Sequence, residues 1–200
     1  MASSQKETKK LLRKTMTEKL RLLESSHIES SSKACVARVI GSSEYASASS
    51  IAVYLSMPKE IQTADLLQSA FSLKKKVFIP KIIGKNSEDL IMIPLESMEA
   101  IDGFPKNAWG IPEPELHLEA DLSLPSPLPH IDLVIVPGVA FDSLCRRLGH
   151  GKGYYDCFLS RLMKQQSLSP PITMVLTAFF FIFLCRVPNE CLEYLLGSVL

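Results

Sequence analysis

Two hundred residues, 46% of them hydrophobic and 22% charged, suffice for one globular domain with a sizeable core. A net charge of +1 lacks the concentrated basic excess of a general nucleic-acid binder, so a small-molecule ligand is the better expectation. Five cysteines, Cys35, Cys145, Cys157, Cys185 and Cys191, are odd in number and show no CxxC spacing, which indicates neither a disulfide framework nor a zinc site. Met1 to Lys10 contains no apolar stretch of the kind a secretory signal needs, and Glu7 and Glu18 weaken a transit-peptide reading, so the cytoplasm is the default location.

Lys6 to Ser26 predicts an amphipathic helix, with Leu12, Met16, Leu20 and Leu23 on one stripe and Lys9, Lys10, Arg13 and Lys14 outside it. By composition those cations suit a solvated face as well as a binding one. A second helix is expected over Ser30 to Tyr45. Ser50 to Met57 (SIAVYLSM) is short, β-branched and aromatic, which predicts a strand that Pro58 ends. Glu60 follows in a loop before a helix at about Thr63 to Lys74, whose Thr63 and Asp65 suit its start. A carboxylate in such a loop is ordinarily solvated, but in α/β sheets ligands gather at the carboxyl ends of strands, where Glu60 falls.

Lys76 to Pro80 and Leu90 to Leu95 predict further strands, and the alternation of strand and helix points to a single-domain α/β fold of βαβ type, a largely parallel sheet flanked by helices. Between Phe104 and Pro129 prolines are frequent and periodicity is weak, so this stretch reads as an excursion over the surface. It holds Trp109, the single tryptophan, which suits either core filling or a ligand contact.

Asp132 to Val136 is an aliphatic run closed by Pro137-Gly138, a buried strand that ends in a turn. The turn leads through Arg146 and Arg147 into Gly149-His150-Gly151-Lys152-Gly153, three glycines at alternate positions among basic residues. Glycines let backbone N–H groups face an anion at close range, the helix that starts near Gly153 adds its positive end, and Lys152 and Arg147 supply mobile and planar charge. The spacing is neither that of a P-loop nor that of the dinucleotide fingerprint. Tyr154, Tyr155 and Asp156 open the helix, and Phe158, Leu159, Leu162 and Met163 follow its period. Asp156 suits a helix dipole partner or a Mg²⁺ ligand beside phosphate, and Asp142 suits a second ligand or a turn.

Pro137-Gly138, Phe141-Asp142 and the run Arg147-Leu148-Gly149-His150-Gly151-Lys152-Gly153-Tyr154-Tyr155-Asp156 resemble the signature of the 5-formyltetrahydrofolate cyclo-ligase family, also called 5,10-methenyltetrahydrofolate synthetases. The resemblance extends over roughly Lys9 to Ala178. It implies a layered fold similar to that of sugar-phosphate isomerases and coenzyme A transferases. It also implies an ATP- and Mg²⁺-dependent conversion of 5-formyltetrahydrofolate to 5,10-methenyltetrahydrofolate. Under it Arg147, Leu148, Gly149, His150, Gly151, Lys152, Gly153, Tyr154 and Tyr155 bind ATP, with Lys152 and Arg147 the catalytic cations and Asp156 the metal ligand. Lys9 and Arg13, with Lys10 an alternative to Lys9, would reach the same phosphates. The folate would meet Glu60 at its pterin ring, Leu55 at an apolar contact, Trp109 near N10, and His150 and Tyr154 at the loop. The expected partner is a small-molecule folate, polyglutamylated or not, with no nucleic acid and no membrane; a monomer is expected, and a longer mitochondrial form is the alternative to a cytoplasmic one.

The carboxyl end departs from that pattern. Ile172 to Ala178 fits the strand expected after the glycine-loop helix, but Phe179 to Leu184 (FFFIFL) is apolar where the family turns polar, and the family's closing metal-site Asp has no counterpart, the remaining acids being Glu190 and Glu193. The chain therefore divides into a cyclo-ligase-like domain over 1–178 and a divergent tail over 179–200. Ile172 to Cys185 is only fourteen residues, short of the roughly 20 a bilayer crossing needs. An impaired folate- or nucleotide-binding variant is the alternative to an active ligase.

Overall fold

Alternation of apolar residues along the central strands gives a sheet with two buried faces. In β4 (Leu133–Val136) Leu133 and Ile135 join one core cluster, while Val134 and Val136 join the other. β1 (Ser50–Ala52) repeats the pattern, with Ile51 on the first face and Ala52 on the second. Helices cover both faces, so the molecule has three layers. The computed structural model describes residues 2–107, 110–115, 127–141, 147–168, 171–175 and 184–185.

The chain opens with α1 (Ala2–Arg21) and α2 (Ser25–Ile40), then a short α3 (Ser43–Ser47). The expected helix of Lys6 to Ser26 is thus two elements: Leu22 and Leu23 donate back to Lys19 and Leu20 at 3.2 Å each, and Glu24 is extended ahead of α2. The second helix starts earlier than expected, at Ser25, and Gly41 ends it before Tyr45. α2 buries Ile28, Cys35, Val36 and Val39. α4 (Ala64–Ser72) buries Leu66, Leu67 and Ala70 against the same face. On the opposite face lies α6 (Tyr154–Gln165), with Phe158, Leu159 and Leu162 buried.

Strand order in the main sheet is β3-β2-β1-β4-β7-β8, with β2 (Lys76–Ile82), β3 (Leu90–Leu95), β7 (Ile172–Val175) and β8 (Leu184–Cys185). The pairs β1/β2, β1/β4 and β4/β7 are parallel, which bears out the largely parallel sheet. β2 and β3 are antiparallel, from Val77↔Leu95 to Ile82↔Leu90. They form a hairpin and not a βαβ unit, because the residues between them are too few for a crossover. β3 is an edge strand, which suits Pro94, and β2 pairs with β1 only as far as Phe78, which leaves Pro80 free of a second ladder. β7 and β8 are antiparallel, Thr173↔Cys185 and Met174↔Leu184; the expected strand beyond Val175 and the phenylalanine run 179–183 lie outside the described residues. A short α5 (Glu99–Asp102) leads to the proline-rich excursion, where Lys106 and Pro112 form an isolated bridge and Lys81 pairs with Glu113 at 3.3 Å.

The expected strand Ser50 to Met57 keeps its ladder only through Ala52. Val53 still donates to Phe78 at 2.9 Å, after which side chains take over: Thr63 Oγ1 donates to the Tyr54 carbonyl at 2.7 Å, and Tyr54 Oη donates to the Ile61 carbonyl at 3.1 Å. Thr63 was expected to cap α4, yet its hydroxyl serves this loop instead. At the other end of the strand, Asp132 Oδ2 accepts from Ser49 N, Ser50 N and Ser50 Oγ, each at 2.9 Å, and so joins the starts of β1 and β4.

Candidate functional site

Beyond Val136 the backbone turns at Pro137-Gly138 and returns through a two-stranded hairpin, β5 (Ala140–Phe141) and β6 (Arg147–Leu148). A Cβ on Gly138 would fall 2.4 Å from Phe141 Cζ, so the Phe141 ring packs in the space a side chain would take. Arg147 Nη1 donates to the Pro137 carbonyl at 3.1 Å, Nη2 pairs with Asp156 Oδ1, and the guanidinium lies 5.8 Å over the Tyr155 ring. With its side chain 9% exposed, Arg147 is a brace between the end of β4 and the first turn of α6. The loop closes tightly over it, because a Cβ on Gly149 would lie 2.8 Å from Arg147 Nη1. Gly151 (φ 98°) and Gly153 (φ 75°) have left-handed backbone, the conformation in which glycine is unstrained. Gly153 precedes α6 without a side chain, so the free N–H groups of the first helical turn open toward the loop.

Arg13 reaches this loop from α1. Its Nε donates to the Gly149 carbonyl at 2.8 Å, and a Cβ on Gly151 would lie 3.3 Å from Arg13 Cζ. Lys9, half-buried, and Lys10, exposed, stand four and three residues before Arg13 and so both neighbour it on the surface of α1. Lys152 is exposed and forms no ion pair among the described residues. Leu148 is buried, so its side chain is core and only its backbone meets the loop. Tyr154 Oη donates to the Gly84 carbonyl at 3.2 Å, which ties the start of α6 to the β2–β3 turn.

The facing wall is the loop after β1. Glu60 Oε2 accepts from Met57 N at 2.9 Å, and its Oε1 stands 3.8 Å from His150 Nε2 on the glycine loop. Gln62 Nε2 fixes the loop with bonds to the carbonyls of Met57 (3.0 Å) and Glu60 (2.8 Å). A cavity of about 320 Å³ opens between the walls, lined by Tyr54, Met57, Glu60, Ile61, Pro137 and His150 among others. Burial first, and the Glu60 charge second, push the phenols of Tyr54 and Tyr155 well above their ordinary range, with Arg147 pulling Tyr155 partly back. Both hydroxyls are therefore neutral near pH 7.

Geometry thus brings Arg13, Arg147, the glycines, His150, Tyr155, Asp156 and Glu60 together. Leu55 is half-buried against the first core cluster. Trp109 and Asp142 lie outside the described residues. Sequence reading missed Tyr54 and the Gly84 turn, whose proximity arises from pairing between distant strands and leaves no local pattern. Among the described residues no three His, Cys, Asp or Glu gather as a metal cage. Asp156, 31% exposed, gives Oδ1 to Arg147, and its second carboxylate oxygen fits a hard cation that draws its other ligands from phosphate and water. No helix among the described residues is long and apolar enough to cross a membrane.

A model of the 5-formyltetrahydrofolate cyclo-ligase family matches residues 5–199. The chain is 35% identical over 160 residues to a probable 5-formyltetrahydrofolate cyclo-ligase of Caenorhabditis elegans, covering 79% of this chain and 75% of the worm protein. It is 33% identical over 165 residues to 5-formyltetrahydrofolate cyclo-ligase of Mus musculus, covering 81% and 78%. Its fold is similar to the NMR structure of Aquifex aeolicus 5,10-methenyltetrahydrofolate synthetase, with a TM-score of 0.64 and 25% identity over 84% of this chain and 77% of that one. The alternative of an impaired variant draws no support from these relatives.

Proposed function

The chain belongs to the 5-formyltetrahydrofolate cyclo-ligase family, and on that premise we propose that it converts 5-formyltetrahydrofolate to 5,10-methenyltetrahydrofolate while ATP becomes ADP and phosphate. The observation that supports this most is the approach of Glu60 to His150 across one cavity, with Arg13 on the same glycine loop. One wall suits a phosphate and the other a heterocycle with N–H donors.

A formyl oxygen is a poor leaving group until it is phosphorylated. It attacks the terminal phosphorus of ATP, and ADP departs. The folate N10 then attacks the activated carbon, loses its proton to solvent, and phosphate leaves with the former formyl oxygen as the ring closes. What the protein contributes is placement and charge. The amides from Gly149 to Gly153, Arg13, Lys9 and Lys152 surround the transferred phosphoryl group, and Arg147 adds a fixed positive charge beside Asp156. Such preorganised groups act most strongly where charge develops. Asp156 would hold Mg²⁺, which screens phosphate charge when bound. Glu60 accepts hydrogen bonds from the pterin, and Leu55, Trp109, His150 and Tyr154 complete the folate contacts. In this reading residues 1–178 carry the catalytic domain and 179–200 its tail, and the chain acts as a cytoplasmic monomer.

Purified protein mixed with 5-formyltetrahydrofolate, ATP and Mg²⁺ should develop the absorbance of the methenyl product, and omission of either ATP or Mg²⁺ should abolish it. Lys152→Ala should lower kcat by about 10²-fold or more, the scale seen when a group that stabilises transition-state charge is removed. No chromophore from the unaltered protein would refute the activity. Full turnover by Lys152→Ala would refute the role given to that cation.

A further inference from the structure

The cavity beside Glu60 carries in its lining one acid, Glu60, and two permanent cations, Arg21 and Lys59. Besides the walls already described, it is lined by Thr17, Leu20 and Arg21 from the last turns of α1, and by Lys59. Lys59 and Glu60 are neighbours of opposite charge that are turned apart. Glu60 folds toward Met57 N and His150, whereas Lys59 Nζ donates to the Leu23 carbonyl at 2.7 Å, at the junction of α1 and α2. The lining also includes the apolar side chains of Leu20, Met57 and Ile61. Arg21 is exposed and forms no ion pair among the described residues, so its guanidinium is open to a ligand.

This combination of acid, apolar and cationic lining is complementary to the parts of a folate: a pterin with N–H donors, a benzoyl ring, and a glutamate with free carboxylates. We propose that Arg21 and Lys59 bind the glutamyl carboxylates of the substrate, so that its tail leaves the cavity along the carboxyl end of α1 and further γ-linked glutamates are held by the same cations. The inference rests on the cyclo-ligase reading and adds the polarity with which the folate lies. Each cation offers donors in a geometry suited to a carboxylate, and Lys59 keeps two donors beyond its bond to Leu23. A second, ordinary service is open to both, since cations near a helix carboxyl end complement its dipole. The test must therefore report on the tail and not on stability.

Titration calorimetry of the full chain with three ligands does so: 5-formyltetrahydrofolate, its triglutamate, and 5-formyltetrahydropteroate, which ends before the glutamate. The unaltered chain should bind the triglutamate most tightly and the pteroate least. Arg21→Ala should weaken folate binding about threefold, and Arg21→Ala with Lys59→Met about tenfold, as expected for partly screened ion pairs. In both variants the ratio of folate to pteroate affinity should fall toward one. Lys59→Met could disturb the α1–α2 junction and weaken all three ligands alike; Arg21→Ala carries no such bond and decides the matter through the ratio. A ratio that survives in Arg21→Ala and in the double variant would overturn the tail site while leaving the activity standing. Failure of the unaltered chain to bind any of the three would overturn the cyclo-ligase reading and the tail site together.

Discussion

The two walls of the cavity are built in opposite ways. The wall from Pro137 to Asp156 comes from one stretch of chain, and the shape of its described residues depends on glycines whose Cβ positions are filled by Phe141, Arg147 and Arg13 or whose φ is positive. The wall from Tyr54 to Thr63 contains no glycine. It is held by side-chain bonds to its own carbonyls, those of Thr63, Tyr54 and Gln62. A phosphate needs backbone N–H groups at close range, which only missing side chains permit, whereas a heterocycle needs one carboxylate at a fixed orientation, which a braced loop supplies.

The contrast can be broken by substituting each wall in its own terms. Gly151→Ala should have the larger effect, because the new Cβ must adopt φ 98° and meets Arg13 Cζ at 3.3 Å. A non-glycine residue there is strained by roughly 1–3 kcal/mol, and displacement of Arg13 adds to the loss. ATP KM should rise by about tenfold or more, while folate binding in the absence of nucleotide changes little. An unchanged ATP KM would show that the loop geometry does not serve the phosphates. Thr63→Val should act on the other wall and act less. It removes the 2.7 Å bond to the Tyr54 carbonyl in a buried place, which should lower unfolding stability by about 1–2 kcal/mol. Folate KM should rise a few-fold with ATP KM unaltered, and equal rises in both would mean that the walls are coupled and not separate.

The same contrast explains what could be read in the sequence. Pro137-Gly138 and the glycine run announce their wall because its chemistry is local: residues that shape the phosphate site sit beside one another in the chain. The central strands are equally plain, since Leu133 to Val136 is buried on both faces and is aliphatic throughout. Glu60 carries no such signal and came forward only from its place after a strand and from the family resemblance. Its neighbour Tyr54 was absorbed into an expected strand, because the ladder stops at Ala52 for a reason no pattern records: the hydroxyl of Thr63 takes the Tyr54 carbonyl. The break between α1 and α2 was missed because no proline or glycine marks it. By contrast the antiparallel pairing of β2 and β3 was legible in principle, from a connection too short to hold a helix. Arg147 shows how chemistry can be read correctly as a cation at the site while its partner stays hidden; the ion pair with Asp156 depends on how α6 is set against the hairpin.

A structure of the full chain with 5-formyltetrahydrofolate and a non-hydrolysable ATP analogue tests the central claim most directly. The account predicts the terminal phosphate on the amides of Gly149 to Gly153 and on Arg13, with the formyl oxygen facing it and the pterin at Glu60. A terminal phosphate bound away from that loop, or a folate bound outside the cavity lined by Glu60 and His150, would contradict it.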